Sequence, residues 1–130
     1  MSSTKPVLLS IIELGGYPDF SRLYRENGYE VVTTDSVRKA VKLIRQHKPA
    51  VIVAEFNFQS DFRDRTSSLE TVFSSLQGVV DAQVIVFYEQ EYLHQFERLR
   101  GQFRVFESLA FPIDEETLDR ALKAAKPADI

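Results

Sequence analysis

The chain has no cysteine and no tryptophan, and only two histidines and one methionine. Without cysteine there is no disulfide, no thiolate metal site and no thiol nucleophile, and the absence fits a reducing, cytoplasmic setting. Long hydrophobic runs are missing as well. The N-terminal stretch MSSTKPVLLSIIELGG holds one short apolar run, too short to cross a bilayer and without the basic region or cleavage site of a signal peptide. Neither sign of charge dominates: 16 basic residues face 19 acidic ones, a net charge of −3, which disfavours general attraction to nucleic acid or to an anionic membrane. His47 and His94 are far apart and neither stands at a metal-ligand spacing, so both read as surface residues. No repeat or low-complexity stretch interrupts the chain, and its 130 residues suit one domain with one core.

What is present is an alternation of apolar runs and helical patterns. Pro49–Glu55 is wholly apolar up to one carboxylate, as expected of a strand covered on both faces in a parallel sheet. Val7–Ile12, Tyr29–Thr33, Ala50–Phe56, Val84–Phe87 and Val105–Ala110 read as five strands. Between and after them lie five helical patterns. The first starts near Pro18 and stops at Asn27-Gly28. The second is capped by Ser36, carries Val37, Ala40, Val41 and Ile44 on one face, and ends at His47-Lys48-Pro49. The third opens on a Ser67/Glu70 capping box with Leu69, Val72, Phe73 and Leu76 inward. The fourth shows Tyr92, Leu93, Phe96 and Leu99 before Gly101, and the last is capped by Asp114 with Leu118, Ala121 and Leu122 inward. Strands alternating with helices predict a doubly wound five-stranded parallel α/β sheet as a single domain, its core at about residues 5–125, with 126–130 a short tail or the start of a linker. In such sheets ligands bind beyond the carboxyl ends of the strands, which places Glu55 where chemistry is expected.

KPAVIVAEFNF, QVIVFY, FPIDEETLDRAL and NGYEVVTTDSVRKAVKLI, in their order and spacing, resemble the third strand, fourth strand, last turn and helix, and second strand and helix of response-regulator receiver domains, the CheY-like phosphoacceptor modules of two-component signalling. The resemblance runs from about Lys5 to Ala125 and implies a flavodoxin-like (βα)5 fold and cytoplasmic signalling through other proteins. It also implies a set of site positions, and each has changed type. The family's two acidic magnesium ligands fall on Ile11 and Ile12, with Glu13 adjacent; its aspartate nucleophile falls on Glu55; its small hydroxyl falls on Tyr88; its lysine falls on Phe111; and its aromatic switch position falls on Ser108. Magnesium needs oxygen ligands, and a transferring phosphoryl group needs cations around it. The expectation is a degenerate pseudo-receiver, not an enzyme, with no metal and no cofactor.

Other features carry weaker expectations. Glu55 reads as a solvated strand-end carboxylate, as a standing mimic of phospho-aspartate, or as a residual acid–base group. Ile11, Ile12 and Phe111 are expected to converge on the old acidic pocket and fill it with core, or else to leave an apolar ligand pocket bordered by Glu55 and Tyr88. Gly15-Gly16 reads as a plain turn, Arg38, Lys42 and Arg45 as a solvated stripe, and Asp61, Arg63, Asp64 and Arg65 as a charged loop. Tyr92, Phe96, Phe103 and Phe106, with Ser108, are candidates for a contact surface, because the face made by the fourth helix, fifth strand and fifth helix is the family's usual partner or dimer surface. Three functions are therefore carried: a non-catalytic signalling module acting through a protein partner or a homodimer, a small-ligand sensor, and an atypical phosphoacceptor.

Overall fold

Five short strands, β-branched or apolar almost throughout, form the centre of the molecule: β1 (Val7–Ile11), β2 (Glu30–Thr34), β3 (Val51–Glu55), β4 (Gln83–Tyr88) and β5 (Glu107–Ala110). The structure is a computed structural model and describes residues 5–12, 19–56, 68–76 and 82–126. All pairings are parallel and the strand order is β2-β1-β3-β4-β5, the doubly wound, flavodoxin-like arrangement that the sequence predicts. Its topological switch point lies between β1 and β3. The helices are α1 (Ser21–Glu26), α2 (Val37–His47), α3 (Ser68–Leu76), α4 (Leu93–Arg100) and α5 (Glu115–Ala125), with a short 3-10 turn over Gln90–Tyr92.

Alternation along the strands divides the interior into two cores. Leu9, Ile11, Ile52, Ala54, Val84 and Val86 face α2, α3 and α4, whose Ala40, Ile44, Val72, Phe73, Phe96 and Leu99 pack on them. Leu8, Val51, Val53, Ile85, Phe87 and Leu109 face α1 and α5 and meet Tyr24, Leu118 and Leu122. Burial on both faces is why β3 reads as an unbroken apolar run: all five of its residues are buried.

The helix ends follow their sequence signals. The Ser36 hydroxyl accepts the Lys39 N–H at 3.2 Å, and Lys48 closes α2 in the left-handed region at φ 47 before Pro49. The Asp114 carboxylate accepts both the Thr117 N–H (3.0 Å) and the Thr117 hydroxyl (2.6 Å). Two boundaries move. The first helix is described only over Ser21–Glu26, and the fourth pattern splits into the 3-10 turn and α4, which turns Leu93 outward to 37% exposure instead of into the core. The Gly15-Gly16 turn, Pro18, the Ser67 cap and the Asp61–Arg65 loop lie outside the described residues, as do the side chains of Val37, Leu69 and Glu70.

One polar cluster ties α5 to the α1–β2 turn. Asn27 is buried and its amide donates to the Leu23 carbonyl (3.1 Å) and to Asp119 Oδ1 (2.8 Å), while Lys123 holds Asp119 Oδ2 at 2.7 Å. The Tyr29 hydroxyl donates to the Leu122 carbonyl at 2.7 Å, and burial raises its pKa to about 12. Gly28 makes the turn at φ 88, where a side chain would be strained. The hydrogen bonds from Lys123 and Asn27 hold the Asp119 carboxyl below the usual range, and those from the Thr117 hydroxyl and N–H do the same for Asp114. A depressed folded-state pKa stabilises the fold above the unfolded value of about 3.9 and loses that contribution as pH falls through the folded value. The thermal midpoint should therefore drop as pH falls below about 4, and Asp119→Asn should flatten the drop in thermal melts across that range; an unchanged acid slope in the variant contradicts this account of the cluster.

Candidate functional site

Glu55 ends β3, paired in register with Phe87 of β4. The β1–β3 register, Ile11 opposite Ala54, continues one step to set Ile12 beside Glu55. By alternation Glu55 lies on the α1/α5 side of the sheet, the side of Val51 and Val53. It is only 7% exposed. This overturns the solvated strand-end reading: the carboxylate lies inside the molecule, with Ile12 and Phe87 beside it in register.

The expected convergence of apolar residues on Glu55 does not occur. Ile11 and Ile12 are neighbours at the end of an extended strand and point to opposite sides: Ile11 is buried in the α2/α3/α4 core, while Ile12 packs, half-buried, against the α1/α5 core. Tyr88 also leaves the site. It shares a face with Val84 and Val86, and its ring stacks on Phe96 at 4.8 Å and 15°. Phe111 follows β5, hydrogen-bonds through its N–H to the Tyr88 carbonyl (2.8 Å), precedes Pro112 across a cis peptide bond and is 40% exposed. It plugs nothing. Glu13 lies outside the described residues, and among the described residues no three carboxylate or imidazole groups come together as a metal site.

A cavity is nevertheless present at the carboxyl end of the sheet, one strand away from the expected place. It has a volume of about 780 Å3 and lies over the ends of β1 and β2, between α1 and α2. Ile12 and Phe87, the residues that flank Glu55 in register, line it; Tyr88 and Phe111 do not. Ser10, the one polar residue of β1, pointed to it in the sequence: in a strand reading VLLSI a hydroxyl among apolar neighbours marks a place where the core is not closed. The α2 stripe is exposed at Arg38, Lys42 and Arg45, as predicted, and Lys42 with Lys39 borders the cavity.

The contact-surface candidates separate into two groups. Phe96 is fully buried and is a core ring, packed on Phe56 (5.5 Å) as well as Tyr88, so it is no surface anchor. Tyr92, Phe103 and Phe106 are half-buried; Phe103 stacks on Phe73 at 4.9 Å and 5°. Ser108 is half-buried and its hydroxyl accepts from Arg100 at 3.5 Å. Leu93 and Phe111 are the exposed large apolar residues of this region, and neither was singled out as a contact from sequence.

No protein-family model matches the chain, and no curated protein sequence matches it. Solved structures do. Chemotaxis protein CheY4 of Vibrio cholerae superposes with a TM-score of 0.73 at 18% identity, covering 94% of this chain and 99% of that one. A signal receiver domain of an HD domain-containing protein from Pseudomonas fluorescens gives 0.74 at 12% identity over 94% of each chain. A response regulator receiver domain protein from Clostridium thermocellum gives 0.71 at 15% identity, over 92% of this chain and 93% of that one. At these identities the likeness is one of architecture, and the architecture is that of the response-regulator receiver domain.

Proposed function

We propose that the chain is a non-catalytic signalling module, a receiver fold that has lost phosphoryl transfer and acts through contact with a protein partner or a second copy of itself. The observation that carries this reading is the apolar end of β1. Where the fold's phosphotransfer chemistry requires carboxylates to hold magnesium, Ile11 is built into one core and Ile12 packs on the other. Glu55 supports it further, since a carboxylate 7% exposed between Ile12 and Phe87 offers an incoming phosphoryl donor little access. No ammonium stands at the Phe111 position to offset the charge of a transferred group. In place of a reaction centre the module offers apolar surface around α4 and the β5–α5 turn, with Leu93 and Phe111 exposed and Tyr92 and Phe103 partly so. Aromatic and large aliphatic residues in such positions supply much of the energy of protein contacts.

The test is an amide NMR titration with magnesium and then beryllofluoride, a phosphoryl mimic. The expected result is no specific shift at Ile12, Glu55, Phe56 or Tyr88. Saturable shifts centred on those residues would restore phosphoacceptor chemistry and remove this proposal.

A further inference from the structure

The cavity over β1 and β2 has features of a binding site that the core does not need. Its volume of about 780 Å3 falls within the usual span of small-molecule pockets. Its inner wall is aromatic: Phe20 meets Phe87 edge-on at 5.9 Å and 76°, with Tyr24 and Ile12 beside them. Two hydroxyls stand in this wall. Ser10 is 8% and Tyr24 3% exposed, and both residues line the cavity. Hydroxyls in a cavity wall can donate to, or accept from, polar atoms of an occupant. Burial and the nearby Asp19 raise the Tyr24 pKa well above the usual phenol value, which keeps its proton available for donation.

The rim decides the sign of charge. Asp19 is held ionised by the Ser21 hydroxyl and N–H, and the positive charge of Arg25 nearby offsets its own. That leaves Asp35 against Lys39 and Lys42, and neither lysine takes part in an ion pair among the described residues. The balance favours an anion on the α2 side of an aromatic slot.

We infer that this cavity binds a small aromatic carboxylate, its ring against Phe20, Tyr24 and Phe87 and its carboxylate toward Lys39 and Lys42. The site is separate from the partner-contact surface and does not depend on it. It does adjoin Glu55 through Ile12 and Phe87, so occupancy would be felt at the position where the fold otherwise receives a phosphoryl group.

The experiment is an amide NMR titration of the full chain with benzoate, 3-phenylpropionate, indole-3-acetate and 2-naphthoate, with hexanoate as the aliphatic counterpart. Saturable shifts at Ser10, Phe20, Tyr24 and Phe87 are expected with at least one aromatic acid. Lys39→Gln/Lys42→Gln, confined to exposed side chains, should weaken that ligand about tenfold, the loss expected from one charge-assisted hydrogen bond. Ser10→Leu should weaken binding by pushing an isobutyl group into the inner wall where the ring is seated, and the lysine variant carries the test if that protein does not fold. No saturable shift with any of the four acids, or affinity unchanged in the lysine variant, overturns the site. Hexanoate binding as tightly as the best aromatic acid overturns the aromatic assignment. The magnesium and beryllofluoride titration reads a different set of amides, so either proposal can fail alone.

Discussion

Phe96→Ala should lower stability by about 3–5 kcal/mol, the cost of truncating a fully buried phenylalanine. The ring is held between Phe56 and Tyr88 at centroid separations of 5.5 and 4.8 Å, so the substitution opens a cavity and also removes two aromatic contacts. Domains of this size are stable by only about 5–15 kcal/mol, so a large share of the total is at stake. Phe103→Ala is the matched comparison. Phe103 is half-buried and stacks on a single ring, Phe73, and its loss should cost clearly less. Urea unfolding of the two variants beside the wild type checks the order. Equal costs, or a Phe96→Ala cost below about 1.5 kcal/mol, would contradict the placement of Phe96 in the core. A contact residue behaves in the opposite way, with little loss of stability and a large loss of partner binding, so the same comparison separates the two roles.

The fold was readable because each of its determinants is local. The apolar run of β3, the Ser36 and Asp114 caps and the Lys48-Pro49 stop all act within a few residues, and each appears in the structure as expected. The site was less readable because it depends on direction. Ile11 and Ile12 read as one apolar plug only when they are taken as a pair; successive strand residues face opposite sides, and that rule alone excludes their convergence. The same rule sends Tyr88 away from Phe87, toward α4. The burial of Glu55 had no comparable local signal. A carboxylate at the end of an apolar run is exposed or enclosed according to how far the flanking helices extend over the sheet, and that is a property of the assembled fold. Leu93 shows the converse. It lies three residues before Phe96, on the helical period, yet it opens α4 after a 3-10 turn, where the chain has not yet settled onto the sheet.

Ile11→Asp, the substitution that places one acidic residue at the end of β1, should prevent folding at room temperature or bring the protein close to it. Ile11 is 3% exposed in the α2/α3/α4 core, packed among residues such as Leu9 and Ala54. A carboxylate placed there loses its hydration. Among the described residues no lysine, arginine or histidine is buried to offset the charge, and removing a large aliphatic side chain adds a further cost of about 2–5 kcal/mol. Ile12→Asp is the informative contrast. Ile12 is half-buried and lines the cavity, so a new carboxylate there keeps access to water, and the loss should be far smaller. Circular dichroism and thermal melts of the two variants measure the difference. If Ile11→Asp folds as well as Ile12→Asp, the end of β1 is not committed to the core and can carry an acidic pair. If the two differ as expected, the end of β1 is committed to the core at Ile11: this residue holds the sheet to α2, and a carboxylate cannot be placed there without giving up stability.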